Sequence, residues 1–594
     1  MRDGRWIWWT LAPLWGVLAL FSLAFPTPSR QAAAVGVPVS HAAPARSAPE
    51  TVTDTVLAHA DDYPADWLMW AKNYRGQRYS SLSQVNRENV RRLVPKWCYS
   101  LGTQGAQQCT PVIHRGVMYV TGAGGRLHAL QADTGEPLWS FDSHLPADTS
   151  RFGSDTNRGV TLYRNLVIWC NFAGEIYAHD ARSGKMRWHA NTADYRRGYT
   201  RTLAPLVVKG RVILGTSGGE FGVRGFVEAL DAETGKPAWR TYTIPAPGEA
   251  GHETWPEGDQ WAHGGAPTWF TRSYDPELNL IYWTTGNGAP WSADERPGDN
   301  LYSCSVLALD ADTGERKWHF QFVPNDDWDY DCNTTPILTE IDWQGQRIPV
   351  LLAAVKNGFF YVIDRRNGRF LKGVQFIDRI NWAKGLDPVT GRPLETGAAR
   401  PRKGTDERVF VIPSALGAAN WWGAALDVKR NALVLVANET GMRHVWDPVQ
   451  FEPGKEFIGW APGEFRDNTQ RTAARPGRVC AWDLHTLQKT WEAPRESEIR
   501  WGGPLVTGGD LVFSGTMRGY LQALDAETGK PLWQFQTGSG IMAHPVTFAV
   551  DDQQYVAVLS GRGGVANPTY ISKDFFKDVK NHNTSGMVFV FGLQ

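Results

Sequence analysis

The sequence predicts an all-β fold, an eight-bladed β-propeller with long insertions. Three observations carry that expectation. A hairpin motif recurs along the chain, 28 Trp and 61 Gly in 594 residues suggest a repeated, turn-punctuated unit, and apolar residues alternate with period two between the hairpins. Self-similarity at intervals is the mark of repeat architectures, and radial closure protects the edges of short antiparallel sheets. Formal net charge is zero, from 61 basic and 61 acidic residues. That balance gives no support to nucleic-acid or anionic-membrane binding as a main role.

At the N-terminus, Arg2 and Arg5 precede an uncharged run from Trp6 to Phe25. A basic region followed by an apolar one is the pattern of an export signal, and a run of 20 residues is also just long enough for a membrane anchor. Residues 1–34 are assigned to this signal or anchor, with small-residue cleavage sites at Ala32–Ala34 and Ser40–Ala42. Both readings place the folded part outside the cytoplasm, in the periplasm. Residues 35–61, rich in Ala, Pro, Ser and Thr, read as a disordered linker, and 62–594 as the propeller. Six cysteines in an exported chain permit disulfides without fixing their pairing. No C-x-x-C-H occurs, so covalent haem is not indicated.

The repeat is explicit. "ALQADTGEPLW" ends at Trp139, "AHDARSGKMRW" at Trp188, "ALDAETGKPAW" at Trp239 and "ALDADTGERKW" at Trp318. "VIDRRNGRFL" follows to Leu371, then "AWDLHTLQKTW" to Trp491 and "ALDAETGKPLW" to Trp533, while "LVPKWCYSL" places Trp97 in the same local context. Each unit reads as strand, tight turn, strand: Asp opens the turn, Thr-Gly or Asn-Gly completes it, and an aromatic strand leaves. The tryptophans are expected to pack between adjacent blades. Spacings of 79 residues (239 to 318) and 120 (371 to 491) predict insertions there. The C-terminal "GMVFVFGL" is expected to pair with an N-terminal strand near Leu93. A propeller does not fix a function. A non-catalytic scaffold and an enzyme with its site on the axis both fit the repeat.

"NDDWDYDC", Asn325 to Cys332, sharpens the choice. If extended, it would line Asp327, Asp329 and Asp331 along one face. Three like charges repel unless solvent or a cation neutralises them, so the stretch is either an acidic surface loop or a hard metal site.

The repeat, together with "TGNGAPW", "GGEFGVRG", "NDDWDYD" and "KNGFFYVID", resembles the quinoprotein alcohol dehydrogenases. These are eight-bladed periplasmic propellers that carry pyrroloquinoline quinone (PQQ) beside a metal ion. The resemblance runs from about Asp66 to the C-terminus. It implies metal ligation by Glu220, Asn287 and Asp329, an oxygen set suited to a hard cation. Asp331 stands where lanthanide-using relatives carry Asp, which implies a lanthanide ion, with Ca²⁺ the alternative. Asp327 is left as a solvated or structural charge.

The resemblance also implies the PQQ contacts. Trp269 would be the floor, Arg158, Thr202, Ser217, Gly218 and Gly219 would bind the rim, and Asn420 and Trp501 would complete it. Lys356 would polarise the reactive quinone oxygen. Two departures from the family pattern stand out. Phe152 and Gly153 occupy the place of adjacent cysteines, leaving Phe152 to cover the cofactor, and Gln108 replaces a Glu at the rim. The implied reaction is oxidation of an alcohol, expected to be a short primary one, with Asp329 as general base and hydride passing to PQQ. Electrons would go to a soluble cytochrome c. A sugar or polyol dehydrogenase of the same cofactor class is the alternative within enzymes. A homodimer is allowed by the sequence but not required.

Overall fold

Each part of the recurring motif has a use in the fold, seen here in a computed structural model that describes residues 46–105, 107–153, 155–461, 469–561 and 585–594. The Asp closes its own turn: Asp231 Oδ1 accepts from the Glu233 and Thr234 N–H groups and from the Thr234 hydroxyl, at 3.2, 2.8 and 2.7 Å. The Gly sits at positive φ, as Gly184 does at +70°, where a side chain is strained. It also makes room, because a Cβ on Gly184 would lie 2.6 Å from the Trp139 ring. The indole of one unit therefore rests on the turn of the next. Trp97, Trp139, Trp188 and Trp239 donate in turn to the carbonyls of Ala132, Ala181, Ala232 and Ala311 at 3.1 to 3.3 Å. The motif is thus a device for joining consecutive sheets, which is why Trp and Gly recur together.

The sheets are antiparallel meanders. Val112–His114, Val117–Gly122, Arg126–Gln131 and Pro137–Asp142 pair in that order, and the pattern recurs along the chain. Eight sheets of four or five strands are present among the described residues. The fold is all-β and consistent with a β-propeller. Inner strands such as Leu206–Val208 and Ser273–Asp275 are fully buried, while outer strands such as Pro237–Tyr242 are largely exposed. The C-terminal strand Ser585–Leu593 pairs with Leu93–Gln104 in the register Leu93↔Leu593, as expected, so the two ends of the folded region share one sheet.

Insertions fall where the spacings place them. A hairpin (Ala383–Leu386 with Pro393–Glu395) and a three-stranded sheet (Val409–Val411, Thr440–His444, Gln470–Arg471) lie between Leu371 and Trp491. Residues between Trp239 and Trp318 add short 3-10 turns at His252–Thr254, Gln260–Ala262 and Ala293–Glu295.

Two expectations need correction. The linker does not extend to residue 61: Asp54–Ala58 is a helix capped by Thr53, with Val56 and Leu57 buried. Val52 pairs with Arg164, and Asp54 accepts from the Gly210 N–H and the Tyr163 hydroxyl at 2.9 and 3.1 Å. The aliphatics at 52, 56 and 57 outweigh the Ala/Pro bias of the segment. The "NDDWDYDC" stretch is not an extended strand. Asp326 folds it by accepting from the Trp328 and Tyr330 N–H groups, and Asp329 takes a φ of +61°. Asp327 consequently leaves the common face, bonding the Ala293 N–H at 2.9 Å with Arg400 3.6 Å away. It is structural, but buried rather than solvated. The six cysteines are free thiols, five buried and Cys98 exposed. The signal or anchor assigned to residues 1–34 lies outside the described residues. Among those described, no helix is long and apolar enough to cross a membrane.

Candidate functional site

Lys356 organises the centre of the site. It follows the buried strand Gln346–Ala354, and its ammonium group reaches the turn made by Asp329 and Asp331. Nζ donates to the Asp329 carbonyl at 2.7 Å and to Asp329 Oδ2 at 2.9 Å, and lies 3.0 Å from Asp331 Oδ2. Burial alone would lower its pKa, but the two aspartates outweigh that and hold it above the ordinary lysine value. The opposing aspartate is pushed well up: burial dominates for Asp329, with Asp331 and Glu220 adding to it and Lys356 pulling the other way. Buried carboxylates without full pairing favour the protonated form.

Asp331 reaches further. Its Oδ1 accepts from the Asn287 backbone N–H at 2.6 Å, fixing the "TGNG" segment against the aspartate turn. Asn287 directs its side-chain N–H to the Gly288 carbonyl, which leaves Oδ1 as a buried acceptor without a protein donor. Asp329 Oδ1 is in the same condition. Glu220 stands on a single 3-10 turn, Gly219–Phe221, between Gly218 and Gly222, both in the left-handed region. Its pKa is raised by burial and then by the Asp331 charge, with Lys356 opposing. Among the described residues no three His, Cys, Asp or Glu side chains close a cage by themselves. The oxygens of Glu220, Asn287 and Asp329 do fit a hard cation chemically: two are buried acceptors that nothing in the protein satisfies, and carboxylate and amide oxygens are what such ions take.

Beside this cluster lies a flat, cationic cradle. Arg158 stacks over the Trp269 ring at 4.8 Å and donates to the Thr202 carbonyl at 3.0 Å. Burial lowers its pKa to about 9, and its Nε has no partner. The Thr202 hydroxyl bonds the Ser217 hydroxyl and the Trp269 carbonyl, each at 3.2 Å. Gly218 and Gly219 then lead to Glu220. A Cβ at Gly219 would come within 2.5 Å of Asn287 Oδ1, so only glycine lets the two segments approach. Unpaired buried donors beside a half-buried indole suit a planar, polyanionic aromatic molecule such as PQQ.

Other expected residues sit at greater remove. Asn420 accepts from Asn333 at 2.5 Å and donates to the Leu416 carbonyl at 2.9 Å. A Cβ on neighbouring Gly417 would strike Lys356. Trp501 packs with Trp421 and Trp422 at 5.4 and 6.2 Å, its indole N–H unpaired. Gln108 is 1 % exposed with both amide atoms unpaired, two residues from Thr110, whose N–H donates to the Arg158 carbonyl at 3.0 Å. Phe152 packs on Phe221 at 5.2 Å and on Tyr195 at 5.8 Å, next to the Glu220 turn.

Sequence reasoning missed three participants. Arg272 is buried near Trp269, over Phe270 at 5.0 Å, with Nε unpaired; its three-residue spacing from Trp269 was the available signal. Asn333 continues the alternation Asp329, Asp331 by one step. The segment Val445–Ala461 had no sequence signal at all.

The family profile described as "PQQ: Glucose/ethanol/alcohol dehydrogenase, beta-propeller domain" matches residues 67–377 and 485–556. The quinoprotein alcohol dehydrogenase PedH of Pseudomonas putida is 39 % identical over 591 residues, covering 96 % of this chain and 98 % of that protein. The quinohemoprotein alcohol dehydrogenase of Comamonas testosteroni is 38 % identical over 536 residues, covering 86 % and 75 %. Among solved structures, a europium-containing methanol dehydrogenase superposes with a TM-score of 0.85 at 33 % identity, covering 91 % of this chain and 100 % of that one.

Proposed function

This chain belongs to the PQQ-dependent alcohol dehydrogenase family, and from that premise we propose that it oxidises a short primary alcohol to the aldehyde by hydride transfer to PQQ. The observation that carries the reading is the convergence of Asp329, Asp331, Asn287 and Lys356, drawn from three separate stretches of chain, beside the Arg158–Trp269 cradle. A scaffold has no need of unpaired buried acceptors next to unpaired buried donors.

Glu220, Asn287 and Asp329 would hold the cation, with Asp331 supplying a further carboxylate. Trp269, Arg158, Thr202, Ser217 and the two glycines would hold PQQ. When bound, the quinone supplies the hydride-accepting carbonyl and the cation supplies Lewis acidity. The protein's own part is proton handling and orientation. Lys356 holds Asp329 at Oδ2, and the ionised form of Asp329, which both Lys356 and a bound cation would favour, would take the alcohol proton as general base. Nζ of Lys356 donates twice to Asp329 and lies 3.0 Å from Asp331 Oδ2. Lys356 would therefore act on a bound quinone chiefly as a fixed positive charge.

The europium in the methanol dehydrogenase named above, together with the extra charge of Asp331, favours a lanthanide over Ca²⁺ for this chain. The eight sheets are read as eight blades of one ring spanning residues 62–594. Electrons pass to a soluble cytochrome c, and the site works in the periplasm, as a monomer or homodimer. A second reading, oxidation of a sugar or polyol, rests on the glucose dehydrogenases grouped in the same family. The experiment is reconstitution with PQQ and either La³⁺ or Ca²⁺, followed by turnover of primary alcohols, glycerol and glucose. Expected are a quinone absorbance without haem bands and turnover greatest for short alcohols. Preference for glucose would select the second reading. Absence of PQQ-dependent turnover with either ion would refute both.

A further inference from the structure

The two segments that carry Glu220 and Asn287 are built from soft material. Glu220 lies between left-handed glycines, and Asn287 between Gly286 and Gly288. Glycine has more conformational freedom to lose than any other residue, so a segment built on flanking glycines costs more to order. Something outside the segments has to restrict them if they are to bind tightly.

Asn287 is already tied to Asp331 and Ala266, and the segment Val445–Ala461 adds a restraint shared by both segments. Its ends pair with each other: Asp447 N–H donates to the Gly459 carbonyl, Ala461 N–H to the Val445 carbonyl, both at 3.1 Å, and Trp446 bridges Trp460. The intervening loop holds both metal-bearing segments by their main chains. Phe457 N–H donates to the Glu220 carbonyl at 2.7 Å, and the next carbonyl, Ile458, accepts from Trp291 N–H at 2.6 Å, four residues beyond Asn287. The side chains secure the hold. Phe451 stacks on His263 with centroids 4.1 Å apart and planes 8° apart, and Phe457 meets the same ring edge-on at 5.7 Å. A Cβ on Gly222 would lie 2.8 Å from Phe451 and 3.0 Å from Phe457. Gly454 abuts the Arg196 carbonyl, and its Cβ would lie 3.8 Å from Phe152.

We propose that Val445–Ala461 is a strap that holds the Glu220 and Asn287 segments in their binding geometry, and that Phe457 and Phe451 are positioning residues for cation retention. The inference rests on the metal-site reading above. By ordering Glu220 and Asn287 beforehand, the strap removes an entropic cost from binding, which shows as slower release.

The test uses full-length protein loaded with PQQ and Eu³⁺. Release into excess chelator is followed by europium luminescence, and lifetimes in H₂O and D₂O report the waters on the ion. Phe451→Ala/Phe457→Ala should release Eu³⁺ at least tenfold faster than wild type and admit additional water. Lys455→Ala, which removes an exposed pair with Glu452 on the same loop, should match wild type. Thermal unfolding of the apo forms identifies any variant that fails to fold, and Phe457→Leu, which keeps apolar bulk, should recover most of the retention. Equal release rates and lifetimes in wild type and the double variant would overturn the strap while leaving the metal site standing. Wild type that binds no Eu³⁺ saturably would instead remove the metal-site reading, and the strap with it.

Discussion

Replacing Asp331 by Asn separates charge from positioning at the metal site. Asn keeps a side-chain oxygen able to accept the Asn287 N–H, now 2.6 Å from Asp331 Oδ1, but removes the negative charge that also faces Lys356 at 3.0 Å. A carboxylate about 4 Å from a cation, at an effective dielectric of about 20, contributes about 4 kcal/mol per unit of cation charge. Asp331 is 4 % exposed, so solvent screens little of this. A trivalent ion therefore loses about 4 kcal/mol more than a divalent one, which is about a thousandfold in relative affinity. Competition between Eu³⁺ and Ca²⁺ for the PQQ-loaded protein, read by europium luminescence, measures the ratio directly. Asp331→Ala adds a second effect, because it leaves the Asn287 N–H unpaired at a cost of about 1–3 kcal/mol, and that loss should fall equally on both ions. If Asp331→Asn weakens Eu³⁺ and Ca²⁺ by the same factor, the carboxylate is a main-chain anchor and not a charge selector.

Three further outcomes follow from the same geometry. Lys356→Met leaves Asp329 and Asp331 facing each other without a cation between them; kcat for alcohol oxidation should drop at least about a hundredfold, and steady-state kinetics of the reconstituted enzyme decide it. Gly184→Ala puts a Cβ 2.6 Å from the Trp139 ring at a φ of +70°. It should cost about 1–3 kcal/mol of stability, read from denaturant midpoints, with activity of the folded fraction unchanged. His444, buried against Trp460 at 3.8 Å, has its pKa lowered to about 3 by burial, with a backbone contact to Asp327 pulling the other way. A base whose folded pKa is depressed loses stability as pH falls from its unfolded value, near 6.5, toward 3, because the unfolded chain takes up the proton first. At pH 5 that amounts to about 2 kcal/mol, so a pH series of melting temperatures should show His444→Phe losing less stability than wild type between pH 7 and pH 5.

The repeat was legible because its parts act over a few residues: Asp closes the turn it opens, Gly takes the positive φ four residues on, and Trp leaves at fixed distance. Such local chemistry is written into the sequence, and with it the sheets and the closing register Leu93↔Leu593. The identity of the oxygen donors at 220, 287, 329 and 331 was legible through motif resemblance. What the sequence could not set was direction. Simple alternation put Asp327 with Asp329 and Asp331, but Asp326 bends the chain by capping Trp328 and Tyr330, turning Asp327 toward Ala293 and Arg400. Lys356 between two aspartates, Arg158 on Trp269, and Phe457 on the Glu220 carbonyl join residues 27, 111 and 237 positions apart. These contacts depend on how sheets pack around a common centre, and no local pattern encodes that. The sequence by itself determined the units and their chemistry; the tertiary structure decided which acceptors stay unpaired, because pairing is settled only when distant segments meet.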